Sequence, residues 1–191
     1  MTVLKDIEDM TAMALDARQV EELVGEGGTC VFMWSTADGH PVGVMMAYVY
    51  LDGVFWTTTP AWRKRVTALR RRPKSSIVVI KDGSSVTFKG HTIVHGPGDT
   101  DWAGVKSWFY AALSGTAGDP ADPGARAMRQ LLDSPGRVIL ETRAEPLVTF
   151  DWQKFGSALG TAVAAGVGSR DIAERKVGRT DGSVPDADLR G

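Results

Sequence analysis

Only one of the 191 residues is a cysteine, Cys30, so no internal disulfide and no zinc site built from several thiolates is available. Cys30 sits in the apolar run Thr29-Cys30-Val31-Phe32-Met33-Trp34 and reads as buried and inert, not as a reactive thiol. An excess of one charge is also missing. The 22 basic residues are matched by 23 acidic ones, and a net charge of −1 would not hold a nucleic-acid coat or a membrane-surface protein. No stretch approaches the ~18 apolar residues of a membrane span. The opening segment Met1–Asp9 has no cationic flank followed by an apolar stretch, so no signal peptide is expected and the chain reads as cytoplasmic.

Several catalytic and binding motifs are absent. Gly25-Glu26-Gly27-Gly28 lacks the lysine and spacing of a phosphate loop and precedes a strand, so it fits neither that loop nor the dinucleotide fingerprint. There is no Gly-x-Ser-x-Gly elbow and no His-Glu-x-x-His. Of the three histidines, His40 falls in a turn, where solvent exposure is the plain reading. His91 and His95 are four apart on a strand and share a face, where they could hold a metal or a haem or be ordinary satisfied histidines. No cysteine or carboxylate lies nearby in sequence to complete a ligand set, so no metal is expected.

What is present describes a globular chain of about one domain, with 43% hydrophobic and 24% charged residues. Helical spacing runs through Ile7, Met10 and Ala14, then through Val20, Leu23 and Val24 behind the capping residue Asp16. Strands are expected over Thr29–Thr36, Pro41–Leu51, Val54–Thr59, Ser75–Lys81, Ser84–His95 and Arg137–Phe150. Asp38-Gly39, Asp52-Gly53 and Asp82-Gly83 supply the hairpin turns. Helices are expected over Ala61–Arg71, Asp101–Leu113, Arg126–Leu132 and Trp152–Leu159. Short strands joined by hairpins argue for an antiparallel barrel or sandwich. Residues 1–160 form the expected domain, with a helical insertion near 98–134, and 161–191 an extended or disordered tail.

The most informative segment is Phe55-Trp56-Thr57-Thr58-Thr59-Pro60-Ala61-Trp62-Arg63-Lys64-Arg65, a strand ending in threonines and followed by a basic helix start. Cations at a helix N-terminus are locally unfavourable, because that end already carries partial positive charge. Beside free backbone N–H groups and hydroxyls they make an anion site, with phosphate as the natural guest. Taken alone, the run also reads as a solvated basic helix face.

The order of these elements, with the aromatic-Thr-Thr strand end, the basic helix closing in Leu69-Arg70-Arg71-Arg72-Pro73 and the strand Ser76-Ile77-Val78-Val79-Ile80, resembles the pyridoxamine 5′-phosphate oxidase-like split β-barrel superfamily of flavin- and deazaflavin-dependent oxidoreductases. The resemblance covers Ala17–Gly96, with a weaker echo at Phe150-Asp151-Trp152. It implies a mainly β (α+β) fold, a six-stranded antiparallel split barrel with peripheral helices. It also implies a homodimer, an FMN or coenzyme F420 (deazaflavin) cofactor and a small-molecule substrate.

In that family the strand end and helix start bind the cofactor phosphate through Thr/Ser hydroxyls and a Ser-Arg-Lys triplet. Counting back from Leu69 and Pro73 puts the triplet on Arg63, Lys64 and Arg65, with arginine for the serine and the Arg-Lys order reversed. Thr58 and Thr59 match the threonine position. The strand Val44–Ala47 matches the one lying along the isoalloxazine ring, where Met45 and Met46 would either wall the ring or pack in the core. The extra guanidinium suits an FMN phosphate or the longer anionic tail of the deazaflavin. No side chain stands out as acid or base. The C-terminal end Val148-Thr149-Phe150-Asp151-Trp152 lacks the Arg-x-His element of true pyridoxamine phosphate oxidases, which argues against that activity. A non-catalytic flavin, deazaflavin or haem holder of the same fold is the alternative. Trp102, Trp108 and Phe109 of the insertion would cap a substrate pocket.

Overall fold

The computed structural model describes residues 10–164. The expectations for a helix through Ile7 and for a loose tail toward Gly191 lie outside the described residues. Contacts divide the chain into a main unit, Ala14–Phe150, and a smaller one whose described residues are 10–13 and 151–164.

The main unit starts at Asp16, which caps α1 (Ala17–Val24) reciprocally. Its carboxylate accepts from the Gln19 backbone N–H at 2.9 Å, and the Gln19 side chain accepts from the Asp16 N–H at 3.0 Å. Three strands follow, β1 (Gly27–Ser35), β2 (Pro41–Leu51) and β3 (Val54–Pro60), then α2 (Lys64–Arg71). Next come β4 (Lys74–Lys81), β5 (Ser84–His95), α3 (Trp102–Ser114), α4 (Pro123–Leu132) and β6 (Arg137–Phe150). The β2–β3 and β4–β5 turns have both central residues at positive φ, 52° and 79° at Asp52-Gly53 and 50° and 82° at Asp82-Gly83. That is the two-residue geometry whose twist matches the flanking strands.

The strands close into one barrel in the order β1-β2-β3-β6-β5-β4, every pairing antiparallel. This is the expected six-stranded antiparallel barrel with peripheral helices. The last strand in sequence inserts between β3 and β5, so Arg137 lies opposite Pro60 and Ile139 opposite Thr58. That long-range pairing builds the site described below.

Alternation along the strands fills the barrel with Cys30, Phe32, Met46, Tyr48, Phe55, Ile77, Val86, Phe88 and Leu140. Phe55 sits centrally, its ring 5.2 Å from Tyr48, 4.7 Å from Tyr50 and 4.9 Å from Phe88 between centroids. The Tyr48 hydroxyl donates to the Val24 carbonyl at 2.7 Å, tying α1 to the barrel. Outside the barrel, Phe109 and Tyr110 of α3, Leu132 of α4 and Ile139 of β6 form a second cluster with Trp56 and Trp108 packed against it. Strand β6 is therefore buried on both faces from Val138 to Thr142.

Most element boundaries fall within two residues of expectation, and three helices depart further. Helix α2 begins at Lys64, not Ala61, because Pro60–Arg63 forms a turn in which the Arg63 N–H donates to the Pro60 carbonyl at 3.1 Å. Helix α4 begins at Pro123, not Arg126, because Asp122 caps it and proline suits the first helical position. In the smaller unit, α5 (Trp152–Ala164) continues past Leu159 and across the expected start of the tail at 161. Asp151 caps α5, its Oδ1 accepting from the Gln153 and Lys154 N–H groups at 2.9 and 3.0 Å. No helix among the described residues is long and apolar enough to cross a membrane.

Candidate functional site

The end of β3, the start of β6 and the first turn of α2 meet at a cleft of about 270 Å³. Its polar wall carries Thr58, Thr59, Arg63, Arg65 and Arg137. Its apolar wall carries Met45 and Met46 of β2 with Leu113, Met128 and Leu132 of the helical insertion. Six of the seven residues expected to bind a cofactor are thus brought together: Met45, Met46, Thr58, Thr59, Arg63 and Arg65. Lys64 is not among the lining residues.

The three threonines do not act as one hydroxyl cluster, because successive strand residues face opposite ways. Thr57 and Thr59 are buried, while Thr58 lies between them on the side covered by α3. Thr57 Oγ1 is fully buried with no hydrogen-bond partner among the described residues. Thr58 Oγ1 gives its one proton to the Val138 carbonyl at 2.9 Å. Its lone pairs then accept from Arg137 Nε at 3.4 Å and from the Tyr110 hydroxyl at 3.3 Å. Thr58 therefore orients Arg137, and Thr59, nearly fully buried, contributes to the cleft lining. Arg137 escaped sequence reading because only the β3–β6 pairing carries it to this place.

Helix α2 presents its first turn to the same region. Arg63 is the N-cap, with extended backbone and no side-chain capping bond, so the Lys64 and Arg65 N–H groups have no intrahelical partner. Arg65 Nη1 donates to Met46 Sδ at 3.4 Å, and its guanidinium stands 5.5 Å from the centre of the Trp34 ring. Burial, and secondarily the neighbouring Arg63 charge, pushes the Arg65 guanidinium below its usual pKa range. No carboxylate lines the cleft, and none of Arg63, Arg65 and Arg137 has an ion pair with a described residue. Three guanidiniums held together without a counter-ion form a site that favours an anion.

Trp102, Trp108 and Phe109 of the insertion do not line this cleft. Trp108 packs edge-on against Trp56 with centroids 5.1 Å apart, Phe109 is fully buried, and Trp102 packs against the same outer cluster. The insertion reaches the cleft through Leu113, Met128 and Leu132 instead. The histidine pair separates as well. His91 is exposed, whereas His95 is buried, stacked on Trp56 and joined to Glu141 at 2.8 Å through Nε2. Glu141 is 46 residues away, so local sequence gave no sign of it. No group of three or more potential metal ligands occurs among the described residues.

No family model matches the sequence, and no curated protein matches it. Solved structures do share the architecture. A conserved hypothetical protein from Mycobacterium tuberculosis superposes with a TM-score of 0.57 at 20% identity, over 76% of this chain and 90% of that one. An FAD-binding protein from Mesorhizobium loti gives 0.52 at 20%, over 71% and 94%. HutZ, the heme storage protein from Vibrio cholerae, gives 0.52 at 14%, over 71% and 96%. At such identities the likeness speaks for the fold, and the fold is the split β-barrel that the sequence resemblance implied.

Proposed function

We propose that the chain holds the phosphate of a flavin-type cofactor, FMN or the deazaflavin coenzyme F420, and acts as an oxidoreductase on a small organic substrate. The observation that carries this reading is the cleft with three guanidiniums and no carboxylate. Arg63, Arg65 and Arg137 supply the charge, the Lys64 and Arg65 amides supply neutral donors, and Thr58 positions Arg137. FMN is the first candidate, because its monoester phosphate matches a compact triad of bidentate donors. When bound, such a cofactor carries hydride through its own ring, and the protein contributes position, electrostatics and exclusion of water.

At about 270 Å³ the cleft suits a phosphate with part of its chain, not a tricyclic ring as well. Met45 and Met128 stand 67% and 46% exposed at its walls. A second copy of the chain, as in the expected homodimer, would cover them and complete the pocket. The rival reading, a holder without turnover, is favoured by one observation: the cleft carries no titratable acid or base besides its guanidiniums. Haem has less support, since no histidine lines the cleft and His95 is already engaged by Glu141.

Anaerobic mixing of the FMN-loaded protein with NADPH, and of the deazaflavin-loaded protein with a reductant, separates the two readings. Reduction faster than that of free cofactor supports the enzyme. Tight binding with no acceleration supports the holder.

A further inference from the structure

Arg65 is turned toward the barrel by its own helix. Val66 and Leu69 of α2 are both buried in the barrel core. Arg65 stands four residues before Leu69 and so shares that face of the helix, whereas Lys64 is exposed. The Arg65 guanidinium is thereby drawn into partly buried surroundings, where an unpaired cation is costly.

No described carboxylate offsets that cost, since Arg65 has no ion pair with a described residue. Its recorded hydrogen bond runs from Nη1 to Met46 Sδ at 3.4 Å, and a thioether is a weak acceptor. Its other partner is Trp34, whose ring centre lies 5.5 Å from the guanidinium carbon. That is within the ~6 Å over which the face of an indole attracts a cation. A carboxylate in the same place would hold the group more tightly and cancel its charge. A ring face and a sulfur hold it and leave both the charge and most of its N–H donors for the cleft, which Arg65 lines.

Trp34 does not line the cleft itself. It faces inward on β1, opposite Val42 of β2 and Ser75 of β4. It is two residues on from the fully buried Phe32 and so on the same face, with the two ring centres 6.5 Å apart. The indole is thus anchored in the barrel, and its influence on a guest of the cleft passes through Arg65.

We propose that Trp34 is a positioning residue: its ring holds the Arg65 guanidinium at the cleft, oriented and still charged. The placement stands by itself. Its consequence for a cofactor phosphate rests on the function proposed above.

The test has two readouts on the full chain. In the ligand-free protein, the Arg65 side-chain proton resonances, assigned by their absence in Arg65→Lys, should lie upfield of free arginine through the ring current of Trp34. They should return to the free position in Trp34→Leu and keep part of the displacement in Trp34→Phe. In fluorescence titration with FMN, Kd should rise roughly tenfold in Trp34→Leu and roughly threefold in Trp34→Phe. Trp34→Leu should add nothing in an Arg65→Gln background. Circular dichroism checks that each variant folds, and Trp34→Phe, which keeps an aromatic ring in place, carries the test if Trp34→Leu does not. A purely structural role for Trp34 would lower the melting temperature without that non-additivity.

Arg65 resonances at the free-arginine position in the parent, or a displacement that survives in Trp34→Leu, overturn the proposal. So does unchanged FMN affinity in both folded Trp34 variants, or an equal loss with and without Arg65. The expected displacement, lost in Trp34→Leu, in a protein that never binds FMN would support the placement and contradict only the cofactor reading.

Discussion

Arg137→Gln probes the reading of the cleft at the residue that only the fold reveals. Arg137 is partly buried, its Nε rests on Thr58 Oγ1 at 3.4 Å, and no carboxylate holds its terminal nitrogens. If a phosphate is the guest, the substitution removes one charge-assisted contact, which contributes ~1.5–3 kcal/mol. At ~1.4 kcal/mol per decade that is roughly a ten- to hundredfold rise in Kd for FMN. Folding stability should change by less than ~1 kcal/mol, because Thr58 keeps its bonds to Val138 and Tyr110. Lys64→Gln is the paired control. Lys64 does not line the cleft, and its loss should cost ~0.2–1 kcal/mol, as for other exposed charges. The assay is quenching of flavin fluorescence on titration, with melting curves run on the same samples. A folded Arg137→Gln protein that binds FMN within about twofold of the parent would refute the assignment, using the same conversion. So would a Lys64→Gln effect as large as that of Arg137→Gln.

Other expectations concern the scaffold. Phe109→Ala should cost ~3–5 kcal/mol in denaturant unfolding, because Phe109 is fully buried between α3 and the barrel wall. Gly90→Ala should lose ~1–3 kcal/mol, since its Cβ would meet the backbone oxygen of Arg143 at 2.5 Å, and Gly53→Ala provides a contrast in which strain comes from φ alone. Asp16→Ala should remove ~0.5–2 kcal/mol through loss of the cap on α1. Burial pushes the Cys30 thiol up to about 12 from 9.0. The folded state then keeps its proton after the unfolded state has released it, so this thiol's contribution is intact below pH 9 and is lost as pH rises toward 12. A thiol reagent at pH 8 should accordingly label Cys30 only after denaturation, and labelling of the native protein at the unfolded rate would contradict the burial.

The parts of the fold that could be read in the sequence are those specified locally. Asp52-Gly53 and Asp82-Gly83 demand positive φ at both turn positions, and the structure shows it. Alternation marks β2 and β5, whose bounds fall where expected. The basic run after Thr59 was visible as charge, but its geometry was not. Successive helical residues point about 100° apart, and nothing local tells which of Arg63, Lys64 and Arg65 turn toward the strand end. The start of α2 compounds this, because the Pro60–Arg63 turn delays the helix.

What escaped sequence reading is non-local. Arg137 reaches the cleft only because β6 inserts beside β3, and Glu141 meets His95 only because β6 also pairs with β5. Trp102, Trp108 and Phe109 were visible as an apolar helix face, but the face could not say whether it meets a pocket or a barrel wall. The wall won, since Ile139 and Trp56 offer a larger apolar partner there.

The central claim is that the Arg63–Arg65–Arg137 cleft holds a cofactor phosphate. The most direct measurement is an absorption and fluorescence titration of the full chain with FMN and with the deazaflavin coenzyme, repeated on Arg63→Glu/Arg65→Glu. The account predicts saturable binding of one of the two, abolished in a double variant that remains folded. Binding of neither by the folded parent protein, or undiminished binding by the double variant, would contradict it.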